Sequence, residues 1–204
     1  MYNDCWPTTR SWTVVDYALR RTPAFYPVRR AFAPVSVVVN REEQMVKVYG
    51  INDTPSSWRG IVQYGLFTLA GGRPFTQELA VEVAPNQARE LVAFSAELWD
   101  RYGETRTVAY AMLMDRQSLV ARNRLILPKF RDLEWSSAVV EVSREGEYAV
   151  FSSDTFAWGV CLDLNGEAVG DNFFDVWPNI PYRVPWPTNQ ALPKVWFVGN
   201  LANP

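Results

Sequence analysis

The sequence contains no histidine. That excludes Ser-His-Asp and Cys-His catalysis, histidine metal ligation, and the side chain that most often moves protons near neutral pH. Cysteine is nearly as scarce: Cys5 and Cys161 stand far apart with no CxxC partner, which excludes a zinc cluster and disfavours a redox motif. A disulfide between them stays open beside the commoner role of cysteine as a small buried hydrophobe. Cations are not in excess either, with Lys and Arg at 20 against Asp and Glu at 22. Phosphate recognition needs a clustered positive surface, so nucleic acid is not an expected partner. No apolar run approaches the roughly 20 residues that span a bilayer, so no membrane partner is expected. The first residues lack the charged-then-apolar layout of a signal peptide, and the cellular location stays undetermined.

Aromatic and aliphatic residues are plentiful. The 204 residues are 48% hydrophobic and 14% aromatic, with nine Trp. That is enough for one or two domains, each with a real core. Pro34 and Pro128 suggest three parts. In residues 1–34, Thr22 followed by Pro23 reads as a helix start. Phe25, Val28 and Phe32 recur at helical spacing and predict one apolar stripe, with Arg29 and Arg30 off it. Pro27 predicts a kink or a late start, and Pro34 the end. A short amphipathic helix of this kind needs a surface to cover.

Residues 35–128 read as an antiparallel β-sandwich of about seven strands. These are Val35–Asn40, Met45–Asn52, Gly60–Leu69, Phe75–Val83, Ala88–Phe94, Arg106–Asp115 and Ser118–Leu127. Alternating rather than continuous apolar positions disfavour a parallel sheet. Ala96–Tyr102 reads as one short helix. Residues 129–204 read as a smaller β domain, with strands at Ala138–Ser143, Tyr148–Ser153, Ala157–Leu164, Val169–Val176 and Val195–Val198. Asn165-Gly166 carries a hairpin signal. The prolines after Trp177 imply an irregular, edge-like path.

Three motifs resemble one known family. Asn3-Asp4-Cys5-Trp6-Pro7, continuing to Ser11-Trp12 and Asp16-Tyr17, is similar to the "NDCWP…SW…DYY" run of glycoside hydrolase family 2, in its β-mannosidase branch. There the run leaves the eighth strand of the catalytic (β/α)8 barrel and enters its last helix. Ala121-Arg122-Asn123 with Leu127-Pro128-Lys129 resembles the end of the sandwich that follows the barrel. Gly170-Asp171-Asn172-Phe173-Phe174-Asp175 with Trp177-Pro178 resembles the "SDNYFDLLPG" strand of the C-terminal immunoglobulin-like domain. The sequence departs from the pattern at Asn179-Ile180-Pro181, where a glycine turn is usual, and at Ala18-Leu19, where a second Tyr is common.

The resemblance implies an all-β fold of two immunoglobulin-like sandwiches, 35–128 and 129–204. They would be preceded at 1–34 by a strand-loop-helix remnant of the barrel. It implies a C-terminal piece of a retaining β-mannosidase-like enzyme, acting without metal or organic cofactor. The missing barrel would be the intramolecular partner, carbohydrate the ligand of the parent, and self-association through an exposed remnant helix a further expectation. Retaining hydrolysis needs two carboxylates about 5–5.5 Å apart, and in the family both glutamates lie on earlier barrel strands. Glu42-Glu43, the adjacent pair, falls in a predicted turn where both remain solvated, so no catalytic residue is expected.

The resemblance places Trp6 at the rim of the parent's sugar site, an indole face for a pyranose, with Asn3 and Asp4 beside it. Core packing is the alternative for Trp6. Trp58, Trp99, Trp135, Trp158, Trp177, Trp186 and Trp196 leave open a second reading, a stand-alone carbohydrate-binding module. Large aromatics on strands more often lie in cores or interfaces. Trp177 and Trp186, among prolines, are the expected glycan-stacking pair. A purely structural or adhesion-like sandwich pair is the third reading.

Overall fold

The computed structural model describes residues 5–7, 12–116, 118–163 and 169–201. In chain order the elements are α1 (Phe25–Ala31), β1 (Val35–Glu42), β2 (Met45–Asn52), β3 (Trp58–Thr68), β4 (Phe75–Val83) and β5 (Gln87–Ser95). Next come α2 (Ala96–Tyr102), β6 (Thr107–Asp115), β7 (Ser118–Leu125), β8 (Glu141–Glu145), β9 (Tyr148–Ser152), β10 (Ala157–Val160), β11 (Phe174–Val176) and β12 (Tyr182–Pro185). Among the described residues the chain is all-β and antiparallel, with two short α-helices, and it divides into two compact units. One is residues 32–135; the other joins the N-terminal segment, to residue 31, with residues from 136 on.

The 32–135 unit is a sandwich of a three-stranded sheet, β1-β2-β5, and a four-stranded sheet, β4-β3-β6-β7. Alternate residues point inward: Val37 and Val39 of β1, Val46 and Val48 of β2, Val62 and Leu66 of β3, and Ala109, Ala111 and Leu113 of β6 form the core with Trp99. The other face of β6 is buried as well, at Val108, Tyr110 and Met112. Its run Thr107-Val-Ala-Tyr-Ala-Met-Leu113 is apolar on both faces, the pattern of a strand covered on both sides. Gly65 has a steric reason in mid-strand: a Cβ there would lie 2.0 Å from the Phe75 carbonyl oxygen of β4.

Helix α2 closes one end of this core. Ser95 caps it by accepting from the Glu97 N–H, and Gly103 ends it at φ 84°. Trp99 drops from α2 into the sandwich, and its indole N–H donates to the Thr107 carbonyl at 3.3 Å. Asn52 staples the opposite end. Its amide donates to the carbonyls of Ser56, Val83 and Ala84, while its carbonyl oxygen accepts from the Thr54 N–H and hydroxyl. The unit continues past Pro128 to Trp135, because Glu134 bonds back to Thr105 through backbone and side chain and the Trp135 indole donates to the Phe130 carbonyl.

The second unit has shorter strands. β12-β9-β8 form one sheet and β10-β11 another, enclosing Ala149, Phe151, Val160, Phe174, Val176 and Val184. Phe174 stacks on Tyr182 at 4.4 Å and meets Phe151 edge-on at 4.9 Å. Strands here are less extensive than the sequence pattern suggests. The predicted Ala157–Leu164 strand stops at Val160, Val169–Val176 shrinks to Phe174–Val176, and Val195–Val198 contributes a single bridge, Cys161 to Phe197. The Pro-rich stretch supplies β12, an edge strand whose Pro185 pairs with Tyr148. The Asn165-Gly166 hairpin lies outside the described residues. Cys5 is exposed, Cys161 is buried, and both are free thiols.

Candidate functional site

The N-terminal segment is built around a small closed loop. Val15 bridges to Arg21, and the Asp16 carboxylate accepts from the backbone N–H and guanidinium of Arg20, both at 2.8 Å. The Arg20 backbone bond is the main reason the Asp16 carboxyl sits below its ordinary pKa, with the guanidinium adding to it. Thr22 donates its N–H and hydroxyl to the Val14 carbonyl, and α1 begins at Phe25 rather than at Pro23. Pro27 therefore falls in the first turn, where its missing N–H leaves no helical bond unmade.

The face that α1 docks is not the predicted stripe. Tyr26 is 1% exposed, whereas Val28 is 40% and Phe32 84% exposed. Tyr26 packs at 6.3 Å from Phe173, and burial pushes its phenol pKa up. One turn on, Arg30 donates to the Asp171 carboxylate at 2.7 Å and to the carbonyls of Asn172 and Phe173. Arg29 donates to the Gly170 carbonyl at 2.7 Å and lies 3.2 Å from the same carboxylate; Arg21 donates to the Val169 carbonyl. Three arginines thus converge on residues 169–173, and two of them, Arg29 and Arg30, lie off the apolar stripe of the sequence pattern.

The Asp171 side chain is only 8% exposed. Besides the guanidinium groups it accepts from the Tyr182 hydroxyl and the Asn172 N–H. Asn172, 1% exposed, is equally committed: its carbonyl oxygen accepts from the N–H groups of Leu162 and Phe173, and its amide donates to the Asp163 carbonyl. Phe173 takes φ 49°. The motif that read as a strand is a latch loop, with only Phe174–Val176 in the sheet. Burying Val28 instead would gain at most about 1.5–3 kcal/mol. Stripping a buried carboxylate of its cation costs about 3–5 kcal/mol, and turning the helix would also free three carbonyls and expose Tyr26, so the latched face wins.

The described part of the segment carries several exposed apolar side chains. Trp6 is 71% exposed, Trp12 94%, Leu19 74% and Tyr17 52%, in addition to Val28 and, one residue past the segment, Phe32. Scattered exposed apolar residues are ordinary, but large aromatics exposed this often in so short a stretch are unusual. Trp6 is therefore not packed in this chain's core, and it presents an open indole. Asn3 and Asp4 lie outside the described residues.

The expected glycan-stacking pair does not survive as a pair. Trp177 is 1% exposed, a core residue whose indole offers no face to a ligand. Its turn explains the departure at Asn179. Ile180 N–H returns to the Trp177 carbonyl, and Asn179 supplies the positive φ, 57°, for which a glycine is the usual choice. Trp186 is half-buried, donates to the Ala191 carbonyl, and packs against the core of its unit. The most exposed indole of residues 136–201 is Trp196, at 56%, with the Lys194 ammonium 4.9 Å from its ring centre. Sequence spacing gave no reason to prefer it. A shallow depression of about 410 Å³ lies among Ser137, Glu141, Ser153, Asp154, Thr155 and Asn179, and no aromatic side chain lines it.

Glu42 belongs to a surface network rather than to a site. Tyr49 donates to it at 2.6 Å and Lys47 sits 2.9 Å away, and together they hold its carboxyl below the ordinary value. Glu43 is the turn residue, at φ 53°.

Comparison with known proteins agrees with this architecture. Residues 44–132 match the Mannosidase Ig/CBM-like domain family. Beta-mannosidase B of Aspergillus fumigatus is 29% identical over 205 residues, covering 89% of this chain and 24% of the relative. The chain thus spans about a quarter of the curated relative's length. Among solved structures, the β-D-mannosidase of Dictyoglomus thermophilum superposes with a TM-score of 0.82 at 29% identity, over 93% of this chain and 24% of that one. The exo-chitosanase of Amycolatopsis orientalis shares the fold, with a TM-score of 0.63 at 18% identity. Sequence and fold together match a C-terminal part of family 2 glycoside hydrolases of the β-mannosidase type.

Proposed function

We propose, from that match, that these residues form the accessory β-domains of a β-mannosidase-like glycosidase. In this role they cover the catalytic barrel and shape the rim of its sugar site. The three-part division at 1–34, 35–128 and 129–204 is the matching proposal for the organisation. Retaining hydrolysis of a terminal β-linked sugar belongs, on this reading, to the whole enzyme. The observation that carries the reading is the N-terminal segment: it is fastened by Tyr26 and Arg30 while Trp6, Trp12, Val28 and Phe32 face outward. Exposed aromatics of this kind are costly to leave in water, and on this reading their partner is a catalytic barrel in the part of the enzyme this chain, a quarter of its relatives' length, does not cover. Trp6, with Asn3 and Asp4 beside it, would then stand at the sugar-binding end.

A graft tests this. Replacing the matching C-terminal quarter of the Dictyoglomus thermophilum enzyme with this chain should preserve hydrolysis of an aryl β-mannoside. Phe32→Asp should abolish it by breaking the apolar contact, and Trp6→Ala should raise KM. A graft that folds and is inactive with every residue intact would count against the reading. The carbohydrate-binding alternative rests on the open indole of Trp196. It predicts binding of a β-manno-oligosaccharide by the chain alone, lost on Trp196→Ala.

A further inference from the structure

We infer, building on the proposed accessory role, that Leu19 is an interface anchor: a rigid loop tip holds it outward in a strained backbone, and contact with the catalytic domain offsets that strain. The tip, Tyr17-Ala18-Leu19, is a tight reversal. Asp16 N–H donates to the Arg20 carbonyl at 2.9 Å, Leu19 N–H returns to the Asp16 carbonyl at 3.0 Å, and Val15 bridges to Arg21 behind them. Short loops of this kind place their last residue in the left-handed region, where glycine is the usual choice. Leu19 holds that position, at φ 61°. Its Cβ is then crowded against the following carbonyl, and a bulky side chain in this region is an outlier of the kind that clusters at functional contacts.

Six non-glycine residues among the described residues take a positive φ, and of these Phe173 and Leu19 are large and apolar. The strain at Phe173 is offset within its own unit, where its ring lies 6.3 Å from that of Tyr26 and 6.4 Å from that of Phe197. Leu19 is 74% exposed, so packing in this chain offsets little of its strain. It carries a left-handed backbone and an exposed apolar side chain together, and a partner that buries it offsets both. The tip is also rigid in advance, because the Asp16 carboxylate accepts from the Arg20 N–H and guanidinium, both at 2.8 Å. A pre-ordered apolar tip loses little freedom on docking, as expected of a side chain that fills a partner's recess. The length of the relatives points to the occupant. The chain covers 24% of the Aspergillus fumigatus relative, and on the accessory reading the remainder includes the catalytic domain. An apolar recess on that domain is the seat for Leu19.

The test compares Leu19→Gly, a probe of strain, with Leu19→Ala, a probe of contact, in the 204-residue chain alone and in the Dictyoglomus thermophilum graft. In the chain alone, glycine relieves the backbone, and the denaturant unfolding equilibrium constant of its unit should fall about fivefold. Alanine keeps the left-handed strain and removes only exposed atoms, so it should change that constant by less than about twofold. In the graft, alanine should shorten the half-life of aryl β-mannosidase activity on heating by about tenfold, because the contact is lost. Glycine without a gain in the chain alone would show the strain already offset there and would overturn the inference. An active graft whose half-life is the same with Leu19 and with alanine would overturn the anchor and leave the accessory reading standing. A folded graft inactive with every residue intact would overturn that reading, and with it the partner named here.

Discussion

The two compact units solve the same problem by different means. The 32–135 sandwich is held by long ladders, with β3 paired to β4 over nine residues and to β6 over eight, and its core is filled by regular alternation. The other unit has strands of three to five residues and is knitted by side chains that bond to backbone across long sequence gaps. Asn200 accepts from Trp158 N–H and donates to the carbonyls of Ser136 and Phe156; Asn172 and the latch arginines act likewise. A ladder distributes its stability over many equivalent bonds. A set of staples concentrates it in a few residues, and each becomes a point of failure.

Single substitutions break the comparison in order of expected effect. Trp99→Ala, which empties the centre of the ladder-built core, should cost about 3–5 kcal/mol in denaturant unfolding of the 32–135 unit. Trp177→Ala should cost a similar amount, about 3–5 kcal/mol, in the other unit. It is a core residue, so its loss reads as unfolding rather than as loss of a ligand. Asp171→Ala, which removes the anion from its guanidinium partners, should destabilise its unit by about 3 kcal/mol. Hydrogen exchange should then show loosened protection in β10–β12 with β1–β7 unchanged. Asn200→Ala should cost about 1–3 kcal/mol, because buried carbonyls lose their donor.

The smallest effect is a pH dependence in the ladder-built unit. Tyr49 and Lys47 depress the Glu42 pKa, and Arg59 depresses that of Glu82, each below the ordinary 4.5. A depressed carboxylate contributes stability that is complete above its unfolded pKa and is lost as pH falls through the folded value. Stability of this unit should therefore decline as pH falls below about 4.5, and the double variant Glu42→Gln, Glu82→Gln should flatten that decline slightly, as expected for exposed pairs. A slope that does not change in the variant would remove these carboxylates from the account.

Legibility from sequence followed the same division. β2 and β4 begin and end where alternation and turn residues place them, and α2 spans Ala96–Tyr102 as read. Local pattern suffices where the backbone ladder does the holding. It failed at α1, where the apolar stripe of Phe25, Val28 and Phe32 pointed to the wrong face. The buried face there meets residues 169–173, which no window around residue 28 contains. It failed again at residues 169–173, where a strand-like sequence folds as a loop because Asn172 captures the Leu162 and Phe173 N–H groups. Trp177 was misread for a related reason: nearby prolines suggested exposure, while the turn through Asn179 carries the indole into the core. Trp6 is legible only through its motif, and its indole is 71% exposed.

The central claim is that the outward face of the N-terminal segment is a seat for a catalytic domain, and the graft into the Dictyoglomus thermophilum enzyme tests it most directly. Hydrolysis of an aryl β-mannoside should persist in the graft and fall to background with Phe32→Asp, while the Phe32→Asp chain on its own unfolds within about 0.5 kcal/mol of the parent. Equal activity of the folded graft with Phe32 and with Asp at that position would contradict the claim.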